Sequence, residues 1–212
     1  MTQPITQSRA VDPDPELVRA AKAGSYEAFE QLVDKYERPI YTTAMRIVRR
    51  PEDAEEVVQE TFLSVVRHLK GFREDSSFHT WLVRIATNHA LKILRKKRGL
   101  STVPLDRPQD DDETPLPHPS FIAQWKDDPI DIASRREVRA LLEDAMGHLE
   151  EKYRLVFILR DVEGLSTEET ADLLGISVPN DKVRLLRARL MLREQLTQKL
   201  GDEATRVRPH EH

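Results

Sequence analysis

The 212-residue chain is 33% charged, only 6% aromatic and free of cysteine, with a formal net charge of −4. This composition suits a soluble, helix-rich protein, and the absence of thiols excludes disulfides, thiolate zinc sites and cysteine nucleophiles. The length allows one large domain or two small ones.

The opening stretch MTQPITQSRAVDPDPE lacks the apolar core of a signal peptide, and runs such as LVFIL are too short to span a bilayer. A cytoplasmic protein with no membrane insertion is expected. Residues 1–13 are expected to be disordered, and a first helical domain is expected over 14–98. In SYEAFEQLVDKYERPIYTTAMRIV, apolar residues recur at Phe29, Leu32, Val33, Tyr36, Ile40, Ala44, Ile47 and Val48. That is helical spacing, with Ser25 placed to cap it and Pro39 placed to kink it. Pro51 suits the first turn of the next helix, PEDAEEVVQETFLSVVRHL, whose acids crowd its N-terminal half as the helix dipole favours. Gly71 should end it. SSFHTWLVRIATNHALKILRKKR predicts a third helix, basic at its end.

The character changes at Gly99. Between Gly99 and Ile132 lie six prolines, eight acids and two bases, a net charge of −6 that leaves +2 for the rest of the chain. Residues 99–132 therefore predict an acidic, Pro-rich flexible linker, with Phe121, Ile122 and Trp125 as apolar islands. The second domain is expected over 133–200. Its four helices are expected at Ile132–Leu149, Glu151–Val162, Thr167–Leu174 and Val178–Lys199, followed by a disordered tail over 201–212. The expected fold class is all-α, a helical bundle and a four-helix domain joined by that linker.

Three stretches carry chemistry. STEETADLLGISVPNDKVRLLRARL has the marks of a helix-turn-helix: Ser166 with Glu169 as a capping box, small Ala171, Gly175 for a left-handed turn, Ser177 as the second cap and Pro179 in the first turn. Such a second helix fits the major groove, with Lys182, Val183, Leu186 and Arg187 toward one side and Arg184, Arg189 and Arg193 within reach of phosphates. The alternative is a solvated basic helix in an ordinary bundle. The third-helix region interleaves Phe72, Phe78 and Trp81 with Arg84, Lys92, Arg95, Lys96, Lys97 and Arg98. Aromatics can stack on unpaired bases while cations follow the phosphates; alternatively Phe78, Trp81, Leu82 and Ile85 are core. The acidic EDAEEVVQETF is either a solvated face or a surface for a basic partner.

No H-E-x-x-H, Gly-rich phosphate loop or nucleophile elbow is present, so no enzyme, catalytic residue or cofactor is expected. The terminal HEH and the set Asp53, Glu56 and Glu60 are poor metal candidates, the latter because no His lies at a matching helical offset. No metal is expected.

Taken in order, the acidic DAEEVVQETF, the aromatic-basic segment, a variable linker and LEEKYRLVFILRDVEGLSTEETADLLGISVPNDKVRLLRARLMLRE resemble a bacterial sigma factor of the extracytoplasmic-function (ECF) class of the sigma-70 family. The resemblance covers roughly 14–98 and 133–197. It implies a factor that binds core RNA polymerase and directs promoter-specific initiation. Asp53, Glu56, Gln59, Glu60 and Phe62 match the motif that docks on the β′ clamp coiled coil, with the β flap as a further polymerase contact. Phe72, Phe78, Trp81, Arg84, Asn88, Lys92 and Arg95 fall where the family melts and holds the −10 strand. Lys182, Val183, Leu186 and Arg187 match base-facing positions of the −35 reader, and Arg184 and Arg189 its backbone-facing ones. The linker, Asp110 to Asp112 above all, would thread the polymerase cleft. Promoter DNA and an anti-sigma factor are the other implied partners. The remaining alternative is a helix-turn-helix regulator that does not dock on polymerase; it would have no use for the acidic helix.

Asp181 departs from the family pattern, which has an apolar β-branched residue there. With Leu185 and Ala188 it should face the core, where an unpaired carboxylate is costly. Three readings stand: gain from the nearby helix start, a substitution that weakens the domain, or pairing with a base or a partner.

Overall fold

Ser25 stops the chain in an extended conformation, and its hydroxyl accepts the Ala28 N–H at 3.2 Å. The first long helix starts there. The fold comes from a computed structural model that describes residues 15–97, 99 and 135–200. Expectations for 1–13, for 100–134, including Asp110–Asp112 and Trp125, and for 201–212 lie outside those residues. Two compact units divide the chain at 101/102.

In the first unit, α1 (Pro15–Lys22) is an element the sequence reading did not assign, although it carries Pro15 at its start, Glu16 in the first turn and buried Val18 and Ala21. α2 (Tyr26–Val48) runs through Pro39 without ending. Pro39 is solvent-exposed, while Leu32, Tyr36, Ile40, Thr43, Ala44 and Ile47 are buried. Burial along that face outweighs the roughly 3 kcal/mol a mid-helix proline costs. Arg49, in the left-handed region at φ 60°, closes the helix by donating its N–H to Met45.

α3 (Pro51–His68) has Pro51 in its first turn and runs into a 3₁₀ turn over Leu69–Gly71. α4 (Phe78–Lys97) starts where the Ser77 hydroxyl accepts the Thr80 N–H at 3.0 Å. α2, α3 and α4 pack on one another and α1 packs on α2. Ile40, Ala54, Val57, Phe78, Leu82 and Val83 form the centre of this core.

In the second unit, α5 (Arg135–His148) and α6 (Glu151–Phe157) lead into a π turn over Ile158–Val162. α7 (Thr167–Leu174) and α8 (Val178–Leu200) follow. The capping box is complete: the Ser166 hydroxyl accepts the Glu169 N–H at 3.1 Å, and the Glu169 carboxylate accepts the Ser166 N–H at 2.8 Å. Gly175 takes φ 69°, and the Ser177 hydroxyl accepts the Asn180 N–H at 3.3 Å. α7, the turn and α8 thus form the helix-turn-helix read from the sequence. α6 and α7 pack against α8 around Leu155, Leu159, Leu174 and Ala188.

Candidate nucleic-acid and polymerase interfaces

The loop after Gly71 and the start of α4 enclose a pocket of about 220 Å³ lined by Phe72, Arg73, Asp75, Ser76, Trp81 and Arg84, with Gly71 at its edge. Its back wall is aromatic: Phe72 lies 4.9 Å from Trp81 between ring centroids, and Phe78 lies 5.7 Å from Trp81 and 5.8 Å from Phe72. Tyr36 meets Phe78 edge-on at 5.4 Å. Phe78 is 0% exposed and absent from the pocket lining, so it is a core support, which corrects its expected role as a contacting residue: it begins α4 on its inward face and packs under Trp81. Phe72 is buried but lines the pocket. Trp81 and Arg84 are half-buried, Asn88 and Lys92 are exposed, and Arg95 is half-buried on the same helix.

A second groove, about 480 Å³, runs between α2 and α3 and is lined by Glu37, Arg38, Tyr41, Val58, Gln59 and Phe62. Glu56 and Gln59 are exposed, and Glu60 and Phe62 half-buried. Asp53 is different. It is buried and paired with Lys97 at the far end of α4. Its expected place on the docking face is corrected accordingly: the carboxylate is engaged within the bundle. Further along α3, Leu63 and Val66 are exposed apolar residues, Val66 to 62%.

On α8, Lys182, Leu186, Arg189 and Arg193 are exposed and Val183 is half-buried. Arg184 and Arg187 are only 2% and 3% exposed. Both were expected to face DNA. Arg184 instead shares the buried stripe of Asp181, Leu185 and Ala188, and Arg187 donates to the Tyr153 hydroxyl at 3.3 Å. Arg189 makes a bidentate pair with Asp161 at 2.8 and 2.7 Å.

Asp181 is fully buried, with Arg160 Nε 3.5 Å from its Oδ2, and neither carboxylate oxygen accepts a hydrogen bond. Burial pushes its pKa up to about 6, against the opposing pull of Arg160, while Glu168 adds to the rise and Arg184 opposes it. The core-facing expectation holds, and the base beside it is Arg160. The π turn brings Arg160 and Asp161 to α8 together, an arrangement the sequence did not signal. Among the described residues, no three His, Asp or Glu side chains converge as a metal set, and no helix is long and apolar enough to cross a membrane.

Residues 32–99 match the family Sigma-70 region 2, and residues 139–192 match Sigma-70, region 4. The RNA polymerase sigma-H factor of Pseudomonas aeruginosa is 34% identical over 180 residues, which cover 83% of this chain and 90% of that protein. The chain is an ECF sigma factor of the sigma-70 family. The ECF sigma factor SigW of Bacillus subtilis is 31% identical over 84% of this chain and 94% of its own length. A solved structure of CnrH in complex with the cytosolic domain of CnrY is 25% identical, with a TM-score of 0.52 over 86% of this chain and 96% of that one. The fold also matches the sigma factor RpoE in complex with the anti-sigma factor NepR from Bartonella quintana, at TM-score 0.55 and 24% identity over 81% of this chain and 98% of that one. As a sigma factor the protein is a non-enzymatic initiation factor that serves promoter recognition by RNA polymerase.

Proposed function

We propose that this sigma factor reads its promoter at two places, one per unit, while docked on core polymerase through α3. The observation that carries the reading is the pocket beneath Trp81 and Arg84. It is large enough for one nucleobase, its aromatic floor is rigidly packed, and Asn88, Lys92 and Arg95 continue along α4 as a track for a single strand. A base flipped from the melted −10 strand would stack on Trp81. The few kcal/mol of unstacking is offset by pocket contacts (roughly, as for other flipped bases).

The −35 duplex is read by α8. Lys182, Val183 and Leu186 face the major groove and Arg193 approaches a phosphate, while Arg189 is held by Asp161. Arg184 and Arg187 hold the helix against α6 and α7. Docking uses the α2–α3 groove, where Glu37 and Glu55 set acids beside Gln59 and the apolar Val58 and Phe62, with Glu56 and Glu60 further acids on α3, facing a basic helical partner such as the β′ coiled coil. An anti-sigma factor would occlude the same groove and cover Leu63 and Val66. The acidic linker would thread the polymerase cleft, where its charge suits a channel built for nucleic acid.

Run-off transcription with purified core polymerase and a pool of promoter fragments tests the proposal. The wild-type protein gives discrete transcripts whose sequences share two spaced elements. Trp81→Ala still binds core polymerase and yields about tenfold fewer transcripts, given the stacking lost per base. Undiminished transcription from Trp81→Ala would sink the pocket assignment.

A further inference from the structure

α1 has been given no role above, yet its last turn reaches across to the rim of the pocket. Val18 and Ala21 bury one face of the helix, which packs on α2. The opposite end presents Lys22. Its Nζ donates to the Phe72 carbonyl at 2.6 Å, lies 3.4 Å from Glu74 Oε1 and sits 5.8 Å from the centroid of the Phe72 ring. Arg19 Nε stands 3.8 Å from the other Glu74 oxygen. One ammonium therefore holds the backbone of Phe72, the face of its ring and the carboxylate two residues on.

The segment it holds is under conformational strain. Glu74 has φ 61°, the left-handed region in which a non-glycine side chain crowds its own backbone. Such a residue persists where its surroundings over-determine it. Here the surroundings are Lys22 and Arg19, fifty-odd residues away in sequence. The next residues, Asp75 and Ser76, line the pocket, and Phe72 lies against Trp81. Without the ammonium, Glu74 is released to the ordinary backbone basins, and the rim moves with it.

We propose that Lys22 is a positioning residue for the −10 pocket: from α1 it clamps the Phe72–Glu74 segment so that the rim is formed before DNA arrives. The inference rests on the −10 reading above. Its physical basis is preorganisation, since a rim already ordered does not have to be ordered at the expense of binding. Lys22 need not touch DNA: its side chain is three-quarters buried and its ammonium is turned to the loop.

The experiment compares full-length wild type, Lys22→Met, Lys22→Arg and Trp81→Ala, each assembled with core polymerase on a promoter fragment recovered from the run-off pool. Three readouts are taken: affinity for core polymerase, permanganate reactivity of unpaired thymines in the promoter complex, and amide hydrogen exchange at residues 72–75. Lys22→Met keeps the apolar stem and helix propensity and deletes only the charge. The expected result is unchanged polymerase affinity, about tenfold less open complex and faster exchange at 72–75, the scale of one lost charge-assisted hydrogen bond. Lys22→Arg, which can still donate to the carbonyl and pair with Glu74, restores opening. Normal opening by Lys22→Met while Trp81→Ala fails would overturn the clamp and leave the pocket standing. Normal opening by both overturns both. Loss of polymerase affinity by Lys22→Met would make α1 a general support of the unit and also overturn the clamp.

Discussion

Asp181 occupies a position on α8 where the helix faces only protein. Its carboxyl has one cation at 3.5 Å and no hydrogen-bond donor, so charge is held there at a cost. The sign follows from linkage. The folded pKa, about 6, stands above the ordinary carboxylate value of 3.8, so the native state holds the proton more tightly. Stability is complete below pH 4, falls as pH rises through 6 and is lowest above it. Asp181→Val should therefore raise the stability of the full chain by about 2–3 kcal/mol at pH 7.5, with most of the gain gone near pH 4. Thermal unfolding of both proteins at the two pH values checks this. An equal gain at both would show that the effect is packing alone. On this account the second unit should be less stable at neutral pH than with an apolar residue at 181, with Arg160 limiting the loss.

The long helices act as struts whose ends are tied, and the ties decide which side chains remain for partners. Asp53 and Lys97 join the start of α3 to the end of α4. Asp53→Asn should lower the melting temperature by about a few degrees, as loss of a pair with a buried carboxylate and an exposed lysine does, with little change in polymerase affinity. Gln59→Arg, on the exposed groove, should do the reverse, leaving the melt intact and weakening polymerase binding about tenfold by placing a cation before a basic partner. Melts beside fluorescence-anisotropy titrations of core polymerase separate the two.

Much at this scale was legible in the sequence, because caps and turns are local chemistry. Ser25, Pro51, the Ser166–Glu169 box, Gly175 and Ser177 each do what their residue type dictates. The burial of Arg184 was also legible: three residues after Asp181 and four before Ala188, it shares their stripe. The basic character of the segment points outward and masks that stripe. What a sequence does not carry is tertiary pairing. Nothing local ties Lys22 to Glu74, Asp53 to Lys97 or Asp161 to Arg189. The π turn that aims Arg160 and Asp161 is a response to packing, with no propensity signature of its own.

At the scale of the whole molecule, the two readers proposed above would gain affinity once polymerase holds both, through effective concentration. The isolated protein should bind duplex weakly, and the salt dependence gives the number of cations engaged. Lys182, Arg189 and Arg193 are exposed on α8, and Arg189 is held by Asp161. Binding of the full chain to a −35 duplex should then follow salt with a logarithmic slope of about −2, steepening to about −3 in Asp161→Asn, whose Arg189 is released to a phosphate. A wild-type slope near −4 would mean that Arg184 and Arg187 also reach the backbone. Anisotropy across a potassium chloride series measures it.

The bare stretch of α3 has a different consequence, for how many copies a cell keeps. Val66 stands 62% exposed beside Leu63 on a helix that otherwise hides its apolar side. Chaperones and proteases sample surface of this kind. On the anti-sigma contact proposed above, a molecule held by its inhibitor would have this surface covered and a surplus molecule would not. Turnover should then fall on the unheld excess, a difference that pulse-chase labelling with and without the inhibitor measures.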